Sequence, residues 1–163
     1  MVVENDDEEL QTRPPEPEDL VKLCRELNDA GAKYIVIGGM AIIQAGFLRA
    51  TEDIDLLIDA SQENQEKVRK AMMSLPDQAI REVQPDDLEN YTVVRVGDEI
   101  TVDLMARACG MSYEDAKNDV VYKEIDAVKI PLASPELLWK LKQTMREKDN
   151  LDLIFLKELL NKK

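Results

Sequence analysis

Asp53-Ile54-Asp55 begins fourteen residues after a glycine pair, Gly38-Gly39, and a further carboxylate, Asp103, sits between apolar neighbours later in the chain. Alternation along a strand puts Asp53 and Asp55 on the same face. Carboxylates gathered this way can hold a hard divalent cation through oxygen. A glycine pair at the end of a strand lets backbone N–H groups approach a phosphate without side-chain obstruction. Together they are the parts of a divalent-metal site that works on a nucleotide.

The elements that must position these residues follow from apolar spacing. Tyr34-Ile35-Val36-Ile37 is a short run of β-formers that ends at the glycines, and residues 53–58 read as a second strand. Tyr91–Val96 and Ile100–Met105 flank Gly97-Asp98-Glu99, a hairpin signal that places Asp103 on the returning strand. Helices are expected from Pro17 to Ala30, over Met40–Ala45, and from a Ser61 cap to about Leu75. Pro76 to Asn90 reads as a connection with a single turn, and Val120–Ile125 with Val128–Leu132 as a small edge hairpin. Ser134-Pro135-Glu136 starts a helix whose apolar positions continue to Met145, and a last helix carries Leu153 to Leu160. The expected architecture is α/β, a short mixed sheet with helices on one face, carboxylates on its open side and a C-terminal helical pair.

Composition bounds the chemistry. The chain has 163 residues and is 44% apolar, room for one domain with a single core, here assigned to residues 17–163. Residues 1–16 are acidic, rich in proline and without apolar periodicity, and are expected to form a disordered arm. There is no histidine, which excludes Ser-His-Asp and Cys-His catalysis and imidazole-bound zinc, so any metal should be oxygen-ligated, with magnesium expected. Cys24 and Cys109 have no metal-ligand spacing and are expected to fill the core. No apolar run approaches the roughly 20 residues that span a bilayer, and no charged-then-apolar segment opens the sequence, so the expected location is the cytoplasm. With 34 acids against 21 bases the net charge is −13, unsuited to a long nucleic-acid partner.

Gly38-Gly39, the segment Arg49-Ala50-Thr51-Glu52-Asp53-Ile54-Asp55 and the late acidic strand together resemble the nucleotidyltransferase superfamily that includes DNA polymerase beta. Lys142-Gln143-Thr144-Met145-Arg146-Glu147-Lys148-Asp149, running on to Asp152, resembles a helix of its small bacterial and archaeal branch. That branch holds the minimal nucleotidyltransferases and the toxin nucleotidyltransferases of toxin–antitoxin pairs. The likeness runs from about Asp19 to the end. It implies transfer of a nucleoside monophosphate from an NTP, such as ATP, to a hydroxyl on a protein, a tRNA end or a small molecule.

On that reading, Asp53, Asp55 and Asp103 are catalytic and bind two Mg²⁺ ions about 3.5–4 Å apart. The nucleotide would be held by Gly38, Gly39, Arg49, Thr51, Lys142, Arg146 and Asp149. Lys142, Arg146 and Asp149 are expected on one face of one helix. Arg49 has an alternative as a surface partner of Glu52, and the late charges an alternative as helix ion pairs. An antitoxin or other partner chain is possible. The rival in another class is a non-catalytic binding module with the same fold. Uncompensated carboxylates argue against it, since they repel one another.

Overall fold

The structure is a computed structural model that describes residues 12–143 and 149–162. Helix α1 (Pro17–Asp29) buries Leu20, Leu23, Cys24 and Leu27, spaced at helical intervals, and Pro17 occupies its first turn. Gly31, at a φ of +74°, carries the chain out of it. Strand β1 (Tyr34–Ile37) is buried throughout, as its unbroken apolar run requires of an interior strand. Helix α2 (Gly38–Gln44) follows without a loop, so both glycines lie in its first turn rather than in a turn before it. Strand β2 (Asp53–Ile58) follows, then α3 (Gln62–Met72), which Ser61 caps by accepting the Asn64 N–H at 3.2 Å.

The connection expected to hold a single turn contains a 3₁₀ turn, Ala79–Glu82, and a short helix α4 (Asp87–Asn90). Asp98, buried in the next hairpin turn, organises it by accepting the N–H groups of Asp77 and Ala79, each at 2.9 Å. The hairpin itself is β3 (Val94–Gly97) and β4 (Thr101–Met105). The two-residue strands β5 (Arg107–Ala108) and β6 (Met111–Ser112) form a separate ribbon, followed by α5 (Tyr113–Ala116). Strands β7 (Val120–Ile125) and β8 (Val128–Ala133) form the expected hairpin, and they extend the main sheet through β8.

The main sheet has six strands in the order β3-β4-β2-β1-β8-β7. β2 is antiparallel to β1 and parallel to β4, and β8 is parallel to β1. Ile54 and Leu56 pair with Val102 and Leu104, forming an apolar floor. α3 lies over that face beside Ile58 and Leu104, and α1 packs against α3 and β8. Each fully buried Leu or Ile there contributes about 1.5–3 kcal/mol. The carboxylates of β2 and β4 stand on the opposite face.

Two helices close the chain, α6 (Pro135–Leu141), capped by Ser134, and α7 (Asp149–Asn161). The expectation that Lys142 and Asp149 share one helix is corrected here: α6 ends at Leu141 and Gln143 lies outside any helix, whereas Asp149 belongs to α7. The apolar periodicity that ran on to Met145 hid this end, and Met145 lies outside the described residues. Cys24 is buried as expected, but Cys109 is exposed, with a φ of +47° in the β5–β6 turn. Of the expected arm, residues 1–11 lie outside the described residues. Thr12 and Arg13 are held on the β3–β4 turn, where Arg13 N–H donates to Glu99 O at 3.0 Å and its guanidinium pairs with Asp19 and Glu99. Among the described residues no helix is long and apolar enough to cross a membrane.

Candidate active site

Strand register assembles the carboxylates. Asp55 is the direct partner of Asp103 across the parallel pair β2–β4, and Arg95 is the partner of Asp103 across the antiparallel pair β4–β3. On the other side, Asp55 faces Ile37, the last residue of β1. A single row across four strands thus reads Ile37, Asp55, Asp103, Arg95, with Asp53 two residues along β2 on the same face. One oxygen from each of Asp53, Asp55 and Asp103 lies within 4.8 Å of the others. The three expected metal ligands therefore converge, from two neighbouring strands.

Gly38 takes its place in this geometry for a steric reason. Its φ is +69°, and a Cβ there would overlap the Asp55 carboxylate, whose Cγ would be only 2.9 Å away. A Cβ on Gly39 would come within 2.5 Å of Thr51 Oγ1 and 2.9 Å of Arg49 Nη2. Gly39, Arg49, Thr51, Lys142 and Asp149 all line one cleft of about 660 Å³, with the three carboxylates in its wall. Gly38 adjoins Asp55 without lining that cleft. Arg146 lies outside the described residues.

Among the described residues, Arg49 pairs with buried Asp152 rather than with Glu52. It grips Asp152 bidentately, Nε and Nη2 each 2.9 Å from a carboxylate oxygen, and donates through Nη1 to Ala50 O at 2.8 Å. Lys142 Nζ lies 2.9 Å from Asp149 Oδ1 and 3.2 Å from Asp152 Oδ2. Lys142, Asp149 and Asp152 are buried, and Phe47 stacks on Phe155 at 5.0 Å, so the loop carrying Arg49 is fastened to α7. The buried acids draw Lys142 inward across the break between the helices. Lys142 and Asp149 thus meet although they do not share a helix.

Two site residues escaped the sequence reading. Asp152 stood inside the quoted motif without a role. Arg95 has no role there, because a turn over Gly97-Asp98-Glu99 sets it opposite Thr101, whereas the observed register, with Gly97 opposite Thr101, pairs it with Asp103. Its Nε and Nη2 lie 2.9 and 3.0 Å from the Asp103 oxygens, and Nη2 is 3.2 Å from Asp53 Oδ2.

One guanidinium does not balance three carboxylates. Burial, then the negative charges of Asp53 and Asp103, push the Asp55 carboxyl up to about 8. Burial and the neighbouring Asp103 raise Asp53 as well, while the hydrogen bonds to Asp103 push Arg95 further up. A carboxyl raised this far shows crowded negative charge, and hard oxygen donors without imidazole or thiolate suit Mg²⁺ or Mn²⁺.

A family model described as nucleotidyl transferase of unknown function (DUF2204) matches residues 16–163. No curated protein sequence matches the chain significantly. Among solved structures, a lincosamide antibiotic adenylyltransferase, LnuA, with lincomycin bound, is similar at a TM-score of 0.56 and 18% identity, over 90% of this chain and 99% of that one. A Thermotoga maritima protein described as a nucleotidyltransferase is similar at a TM-score of 0.50 and 15% identity, over 93% and 98% of the two chains. At these identities the likeness is one of fold.

Proposed function

Since the chain belongs to the nucleotidyl transferase family that its residues 16–163 match, we propose that this nucleotidyltransferase moves a nucleoside monophosphate from a magnesium-bound NTP to the hydroxyl of a small molecule. The observation that carries the reading is the convergence of Asp53, Asp55 and Asp103 in one wall of a cleft large enough for a nucleotide. Asp53 and Asp55 would hold the metal, with Asp103 completing the ligand set. Divalent ions there would shield the triphosphate and lower the pKa of the attacking hydroxyl.

The chain's own groups supply the rest. The acceptor oxygen forms a bond to the α-phosphorus, the bond from that phosphorus to the bridging oxygen breaks, and pyrophosphate leaves. Asp103, buried beside Asp55, would take the hydroxyl proton. Among the described residues, Arg49 commits three of its five N–H donors to Asp152 and Ala50, and Lys142 donates one of its three to Asp149 while its ammonium lies 3.2 Å from Asp152. Each keeps a donor for a phosphate oxygen while its acids fix its position. Gly39 and Thr51 line the same cleft, and the absence of a side chain at Gly39 lets Thr51 and Arg49 pack close beside it.

A small-molecule acceptor is favoured by the fold shared with the lincomycin-bound adenylyltransferase over nearly the whole of both chains, and by the acidic surface. A toxin–antitoxin setting is the variant in which the acceptor is a macromolecule. Incubating the protein with Mg²⁺ and each α-³²P-labelled NTP in a cell extract separates the two. The expected result is label in the small-molecule fraction, lost in Asp55→Asn. Label confined to protein or RNA would overturn the acceptor assignment. Labelling equal in wild type and Asp55→Asn would leave only a binding module.

A further inference from the structure

Arg95 has no role in the transfer described above, yet it touches two of the three carboxylates. We infer that its guanidinium is a resident counter-cation of the triad, competing with the divalent metal for Asp53 and Asp103 and giving way when metal binds. This rests on the metal site proposed above. Both oxygens of Asp103 and one of Asp53 already accept from Arg95. Whichever Asp103 oxygen belongs to the candidate ligand set is therefore already engaged by the guanidinium. A dication seated between Asp53 and Asp103 would sit against the guanidinium and repel it.

The side chain can leave. It is 65% exposed, stands on edge strand β3, and among the described residues donates only to those two carboxylates. It lines both the main cleft and a smaller pocket of about 250 Å³ formed with Thr12, Arg13, Pro14, Glu52, Asp53 and Thr101. A released Arg95 therefore has space on either side of Asp53. The bridge also explains how two neighbouring strands tolerate three acids before metal arrives: a bidentate fork holds Asp103 where it will be needed. Arg95 is in this sense a positioning residue of the resting enzyme.

The test is Mn²⁺ affinity without nucleotide, followed by the EPR signal of free Mn²⁺, together with the melting temperature in EDTA. Arg95→Gln removes the charge, and Arg95→Lys keeps it but loses the planar fork. Both variants should bind Mn²⁺ more tightly than wild type, Gln by about five- to tenfold and Lys by less, while both melt lower in EDTA. Affinity unchanged or weakened in Arg95→Gln would show that Arg95 assists metal binding or ignores it. Tighter binding in Gln with Lys matching wild type would reduce the effect to a general field of one charge. Either outcome overturns the inference while the metal site stands. Absence of Mn²⁺ binding in wild type and both variants would instead remove the metal site itself.

Discussion

Two ionic clusters face each other across the cleft, and they are built on opposite principles. On the helical side, among the described residues, Arg49 and Lys142 meet Asp149 and Asp152, with the acids and Lys142 buried. On the sheet, among the described residues, Arg95 is the one base that forms ion pairs with the triad, through Asp53 and Asp103, and that guanidinium is largely exposed. Matched charge allows burial, so the first cluster serves as scaffold, fastening the Arg49 loop to α7. Unmatched charge stores repulsion, which folding alone would not favour. On the function proposed above, the second cluster is the one that would receive the metal, while the first would hold Arg49 and Lys142 in place for the phosphates.

Neutralising one member of each cluster should therefore do opposite things. Asp55→Asn removes a proposed metal ligand and is expected to lower kcat by about 10³-fold or more, since metal ligation is worth several kcal/mol and each 1.36 kcal/mol is tenfold. The same variant should melt higher than wild type in EDTA at pH 8, because it relieves repulsion. A lower melting temperature in differential scanning calorimetry would contradict the distinction. Asp152→Ala, by contrast, leaves Arg49 and Lys142 without a shared partner. It should cost about 3–5 kcal/mol in urea unfolding, as breaking a buried pair does.

The smaller, sharper test is pH. The folded-state pKa of Asp55, raised to about 8, lies above its unfolded value of 3.8. The folded protein thus holds a proton that the unfolded chain releases between these values. This contribution to stability is complete below about pH 4 and is lost as pH rises through about 8. Without metal, the melting temperature should accordingly fall over that window more steeply in wild type than in Asp55→Asn. Metal binding displaces the same proton, so Mn²⁺ affinity should rise with pH up to about 8, approaching about tenfold per unit. A flat affinity profile between pH 6 and 8 would contradict the assignment.

The parts of this molecule that could be read from sequence are those whose cause is local. The bounds of β1 and β2 follow from runs of β-formers ending at Gly38 and beginning at Asp53. The Ser61 and Ser134 caps are where a short polar side chain precedes a helical pattern. What escaped depends on distant partners. The end of α6 is hidden in periodicity because the buried acids that attract Lys142 belong to α7. Arg95 looks like an ordinary exposed strand residue until the hairpin register sets it beside Asp103. Gly38 and Gly39 were read as space for a phosphate, whereas Gly38 is first required by the close approach of Asp55.

The most direct measurement is the melting temperature of wild type and Asp55→Asn, with and without Mg²⁺ plus ATP, GTP, CTP or UTP in turn. If the unbalanced acids exist to receive a metal–nucleotide, at least one pair will raise the wild-type midpoint, by about 2.7 kcal/mol of stability at a hundred times its Kd, and leave the variant where it was. No rise with any pair, or an equal rise in both proteins, would contradict the account.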